Sequence, residues 1–117
     1  MAIAMHHEGG TSFRVDIRGT LRKVELERCQ NDLKAEMARV GPVKLLFVLD
    51  RFEGWDPRDN WSDLSFYLTQ GGIIKRIAIV GEERWRSEAL MFAGADLRAA
   101  PVEFFDGVTG ARAWLAA

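Results

Sequence analysis

Val43-Lys44-Leu45-Leu46-Phe47-Val48-Leu49-Asp50, continued by Arg51-Phe52-Glu53-Gly54-Trp55-Asp56-Pro57, is the stretch that decides how this chain is read. Apart from Lys44, the residues before Asp50 are apolar on both faces of an extended chain. Such a run, closed by a carboxylate and a Gly/Pro turn, is the pattern of a central parallel strand that feeds a helix. Asp50 then marks the strand end, and residues 51–57 read as a loop at its carboxyl side. Ile73 to Val80, followed by Gly81, repeats the pattern, so Val48 and Ile79 are expected to be buried in adjacent parallel strands.

Working outward, Phe13, Val15 and Ile17 alternate with Arg14, Asp16 and Arg18, the period of a strand with one wet face, and Gly19 closes it. Before it, Ala2 to His6 and the turn residues Glu8-Gly9-Gly10-Thr11 predict a first edge strand in a hairpin. Thr20 is the expected cap of a helix whose inner stripe is Leu26, Cys29, Leu33, Met37 and Val40, ended by Gly41-Pro42. On the other side, Asp56-Pro57 predicts a helix start with Trp61, Leu64, Ser65 and Leu68 facing inward and Gly71-Gly72 as its stop. A third helix carries Trp85, Ala89, Phe92 and Ala93 on one face and ends at Gly94. Val102 to Phe105 forms a short strand, and Asp106 is placed as the cap of a last helix with Val108, Ala111 and Leu115 inside. The order predicts an α/β fold. It is a mixed sheet of about five strands, with an antiparallel first edge strand and a parallel core, packed by four helices.

A chain of 117 residues is one domain by size, residues 1–117, able to bury roughly 65% of its unfolded surface. Charged residues make up 28% of it but the net charge is only −1, so no strong field favours nucleic acid, and none is expected as a partner. Cys29 is the single cysteine, which excludes an intramolecular disulfide and places the thiol on the helix stripe as a small apolar group. Met1 to Met5 lacks the start of a signal peptide and no apolar run approaches a membrane span, so the cytoplasm is expected.

Ligands of open α/β sheets bind at the carboxyl ends of the strands. The loops there hold Asp50, Arg51, Glu53, Trp55, Asp56, Trp85 and Asp106. Each has a plain structural alternative: Asp56 and Asp106 as caps, Asp50 bound to loop amides, Trp85 in the core. Trp55, between Gly54 and Asp56, needs either a pocket to fill or a partner to meet. Trp55 and Trp85 are expected beside one crevice, and the candidate ligand-binding set is Asp50, Phe52, Trp55, Trp61, Gly81 and Trp85. Adjacent His6 and His7 point to opposite faces of a strand and no Cys/His cluster accompanies them, so no metal is expected. G-x-S-x-G, P-loop and G-x-G-x-x-G patterns are absent, and no catalytic residue or cofactor is assigned.

The chain resembles the SpoIIAA-like family of STAS-type domains, in the branch compared with CRAL-TRIO lipid carriers. The resemblance is carried by Val43 to Asp50, Phe52-Glu53-Gly54-Trp55, Trp61, Leu64 and Phe66, Arg76 to Gly81 with Trp85, and Val102 to Asp106 before Ala113-Trp114-Leu115. It implies a non-enzymatic binding module holding a lipophilic small molecule at the strand ends, at a membrane surface in some settings. The alternative it implies is a protein-interaction or regulatory module, with a protein partner or a second copy. An enzyme is the third reading. Antagonists of this superfamily carry a phosphorylatable Ser after the Asp-ended strand. Here that neighbourhood is Trp55-Asp56-Pro57-Arg58, which has no hydroxyl, and Ser62 lies farther into the expected helix.

Overall fold

Two strands with almost uninterrupted apolar side chains must be covered on both faces, and the rest of the chain is laid out to do so. The computed structural model describes residues 3–59, 61, 74–94 and 100–117. Its elements are β1 (Ile3–Gly9), β2 (Ser12–Leu21), α1 (Lys23–Val40), β3 (Val43–Trp55), β4 (Ile74–Val80), α2 (Arg86–Phe92), β5 (Val102–Phe105) and α3 (Val108–Ala116). A single 3-10 turn, Glu83–Trp85, leads into α2. The strands form one five-stranded sheet in the order β1-β2-β3-β4-β5. β1 runs antiparallel to β2 and every other pair is parallel.

The register places Val48 beside Val80 and Phe47 beside Ile79, so the two expected core strands are indeed neighbours. Alternation then divides the core. Leu45, Ile77, Ile79 and Phe104 pack with Leu33 and Met37 of α1 and Ala89 of α2 on one face. Leu46, Val48, Ala78 and Val80 pack with Ala111 of α3 on the other. Leu26, Cys29, Leu33 and Met37 are the buried stripe of α1, which ends where the Gly41 N–H donates to the Met37 carbonyl.

Several boundaries differ from expectation. β3 does not stop at Asp50 but continues through Trp55, because β2 also continues past Gly19 and pairs Gly19 with Phe52, Thr20 with Gly54 and Leu21 with Trp55. The pairing survives through bulges, with Arg51 at φ 53 and Gly54 at φ 106. Bulges of this kind bend a strand and re-aim its side chains. Thr20, engaged in that pairing, is not the cap of α1. Arg22 holds the cap position but its side chain makes no capping bond to the helix, and the Lys23 N–H donates to the Asp59 carboxylate at 2.9 Å instead. Asp106 does not cap α3 either, since the helix starts one residue later, with Gly107 at the cap position. The expected helix after Pro57, including Leu64, Ser65, Phe66 and Leu68, its Gly71-Gly72 stop, and Ser62 lie outside the described residues. Among the described residues the α-helices number three.

Candidate functional site

The bulged extension of β3 turns Phe52 inward, only 2% exposed, and sets Trp55 beside it with ring centres 4.9 Å apart. From the other side the 3-10 turn brings Trp85 to within 5.0 Å of Phe52 and 6.1 Å of Trp55. Phe92 of α2 joins at 5.2 Å from Trp55, and Trp61 lies 5.3 Å from Phe92. The contacts are edge-on or tilted, the arrangement that matches the positive rim of one ring to the negative face of the next. Gly54 is required twice over. Its φ of 106 suits glycine, and a Cβ there would come within 3.2 Å of the Trp85 ring.

Beneath this cluster, between the sheet and α1 and α2, is an apolar cavity of about 70 Å³ with Ile17, Leu26, Cys29, Phe47, Trp55 and Phe92 among its walls. Burial pushes the Cys29 thiol up to about 11, so at neutral pH it is protonated and acts as an apolar wall rather than a nucleophile. The polar atoms of the cluster are unequal. Trp61 donates its indole N–H to the Asp56 carbonyl at 2.8 Å. The indole N–H groups of Trp55 and Trp85 are buried with no partner among the described residues. An orphaned buried donor costs about 1–3 kcal/mol and is rare enough to need a reason.

Asp56 fastens the cluster to the rest of the fold. Only 5% exposed, it accepts from the Arg58 backbone N–H at 2.9 Å and from the Arg58 guanidinium at 2.7 and 3.0 Å. Those bonds to Arg58, with the charge of Arg22 adding to them, hold its carboxyl well below the usual carboxylate range. Asp59 is lowered in the same way by Arg22 and by the Lys23 N–H. Both carboxylates are thus held ionised as structural clasps, which is the opposite of what a proton donor at neutral pH requires.

A second concavity lies on the opposite side, at the carboxyl ends of β3 and β4. It is an open groove of about 760 Å³ lined by Arg14, Asp16 and Arg18 of β2, Asp50 and Arg51 of β3, and Gly81, Glu82, Glu83 and Asp106 from the following loops. Its charges are largely internally paired: Arg18 with Asp50 at 2.8 Å, Arg14 with Asp16 at 2.9 Å and, at the lip, Arg86 with Glu83 at 2.7 Å. The candidate residues therefore fall into two places. Phe52, Trp55, Trp61 and Trp85 meet in the aromatic cluster, whereas Asp50 and Gly81 line the charged groove. Arg22, Arg58, Asp59 and Phe92 belong to the first site without having been singled out. Phe92 had a signal in its place on the helix stripe, and Asp59 in its place near the helix start expected at Asp56-Pro57. Among the described residues no group of His, Cys, Asp and Glu is arranged to hold a metal ion, and no helix is long and apolar enough to cross a membrane.

A five-stranded mixed sheet with one antiparallel edge and helices on both faces is the STAS-type α/β architecture. The sequence matches the SpoIIAA-like family over residues 12–116, and the chain belongs to that family. Among solved structures it is similar to an uncharacterized protein from the DUF3478 family with a SpoIIAA-like fold, from Shewanella loihica PV-4. That similarity has a TM-score of 0.73 at 21% identity, over 97% of this chain and 92% of that one. It is also similar to the anti-sigma factor antagonist SpoIIAA in its unphosphorylated form, with a TM-score of 0.66 at 11% identity over 98% of each chain. No curated protein matches. At these identities the likeness is one of fold.

Proposed function

We propose that the chain is a non-catalytic, STAS-type interaction module that engages a protein partner through the charged groove at the carboxyl ends of β3 and β4. The observation that carries this reading is the groove itself. It is open, of about 760 Å³, and built from strand ends and the segments that follow them, with charges of both signs along its walls. Complementary charge confers specificity and speeds association between proteins. Arg51 supports the assignment because it is a non-glycine residue at φ 53 in the groove wall. Backbone in that sparsely populated region recurs at functional sites. Family membership and the fold shared with an anti-sigma factor antagonist favour the same reading. A switch by phosphorylation at residues 55–58 forms no part of it, since Trp55, Asp56, Pro57 and Arg58 offer no hydroxyl. A cytoplasmic setting and a single domain over residues 1–117 belong to the proposal.

The test is co-purification of a stoichiometric partner with the tagged protein from its own cells, compared with Arg51→Glu. The partner is expected to be lost at least tenfold in the variant while the melting temperature stays within about 2 °C, as for other exposed charges. Equal recovery with wild type and variant would remove the groove from the interaction.

A small apolar ligand is the second reading, favoured by the cavity under Trp55 and Phe92 and by the two orphaned indoles. Magnitude sets it behind the first. Ligand pockets commonly span about 300–1,000 Å³. The cavity, at about 70 Å³, admits only a small group unless Trp55 or Phe92 gives way. Contact with a membrane surface would accompany this reading rather than the first.

A further inference from the structure

The tryptophans of the cluster are chemically alike but differently used. Trp61 spends its N–H on the Asp56 carbonyl, and Trp55 and Trp85, with ring centres 6.1 Å apart, have theirs buried and unpartnered among the described residues. A purely apolar occupant of the neighbouring cavity would leave both donors as they are. An occupant with a hydrogen-bond acceptor would satisfy them, and a carboxylate offers oxygens enough for both. The Arg84 guanidinium lies 4.8 Å from the centre of the Trp85 ring, where it is shared with the Glu82 carboxylate at 3.3 Å. The cavity limits the rest of the molecule. Its volume of about 70 Å³ is less than half the roughly 150 Å³ in which an engineered apolar cavity holds benzene, so a short alkyl tail is what it takes.

Resting on the small-ligand reading above, we infer that the aromatic cluster is the recognition site for a short-chain carboxylate. Its alkyl tail enters the apolar cavity, and its oxygens accept the indole N–H groups of Trp55 and Trp85. The tail meets Ile17, Leu26 and Phe47, and the head group stays at the cluster, on the side of Arg84. Trp61, already bonded to Asp56, takes no part in head-group recognition and serves as an internal control.

The experiment uses the full chain, uniformly ¹³C,¹⁵N-labelled, titrated with butyrate and separately with propane at saturation, following the indole N–H and side-chain methyl resonances. Butyrate is expected to bind saturably, moving the Trp55 and Trp85 indole N–H signals downfield and leaving that of Trp61 in place. Trp55→Phe and Trp85→Phe keep a ring and delete the donor. Each is expected to weaken butyrate binding at least tenfold while the methyl spectrum stays that of a folded chain, the packing lost with the smaller ring being partly offset by removal of a buried orphan donor. If propane shifts the cavity methyls but butyrate does no better, the carboxylate assignment is wrong and the apolar-ligand reading stands. If neither compound perturbs any resonance, both fall. Undiminished butyrate binding in Trp55→Phe and Trp85→Phe also overturns the assignment.

Discussion

The two faces of the sheet are made by the same strands and do opposite things. Toward α1 and α2, Leu45, Ile77, Ile79 and the bulge-directed Phe52 and Trp55 close over an apolar interior. Toward α3, Leu46, Val48, Ala78 and Val80 are covered. Beyond them the face gives way to Arg14, Asp16, Arg18 and Asp50, which form the wet groove. Residues one position apart in β3, Arg51 and Phe52, thus serve different sites, the groove and the apolar cavity, because side chains alternate across a strand. The comparison teaches that being at the carboxyl end of a parallel strand does not place two residues in one crevice. Parity along the strand, and any bulge that resets it, decides which crevice each one joins.

The comparison can be broken most forcibly at Val48, on the covered part of the α3 face. Val48→Asp places a carboxylate among Leu46, Ala78, Val80 and Ala111, opposite Asp16 on β2, where the nearby Arg14 and Arg18 are already engaged by Asp16 and Asp50. An unpaired buried charge should cost about 3–5 kcal/mol. A urea midpoint close to wild type would show that the face is not closed there.

The clasp that holds the aromatic side together provides a test by pH. The bonds from Arg58 hold the Asp56 carboxyl below its ordinary value of 3.8 in the folded chain, and Arg22 does the same for Asp59. A folded pKa below the unfolded one means that stability is fully present above about pH 4 and is lost as the pH falls below it, when the unfolded chain takes up protons first. Urea midpoints are expected to be level from pH 7 to 5 and to drop from pH 4 to 2. Asp56→Asn should be less stable at pH 7 and show a shallower acid slope. An unchanged slope in that variant would place the acid sensitivity elsewhere.

The smallest effect is expected on the charged face. Arg18 and Asp50 form an exposed pair at 2.8 Å, and such pairs contribute little once side-chain entropy and screening are counted. Arg18→Ala should change stability by no more than about 0.5 kcal/mol in urea unfolding. A loss beyond 1.5 kcal/mol would mean that the groove, like the aromatic side, is part of what holds the fold together.

What the sequence determined by itself was everything encoded in local periodicity. The apolar runs at Val43–Leu49 and in β4 specified central strands, the stripe Leu26, Cys29, Leu33 and Met37 specified the buried side of α1, and the element order implied a mixed sheet with one antiparallel edge. Each of these follows from burial, which leaves its period in the chain. Tertiary structure alone decided where β3 ends, since Phe52 to Trp55 are strand only because Gly19 to Leu21 are there to pair with them. It also decided that Asp59, not Thr20, satisfies the first N–H of α1 from 36 residues away. The separation of Asp50 and Gly81 from Phe52, Trp55, Trp61 and Trp85 belongs to the same class, as does the unequal use of the indole donors. These features depend on contacts between segments remote in sequence. A hydrogen bond formed across such a distance leaves no period in the residues that make it.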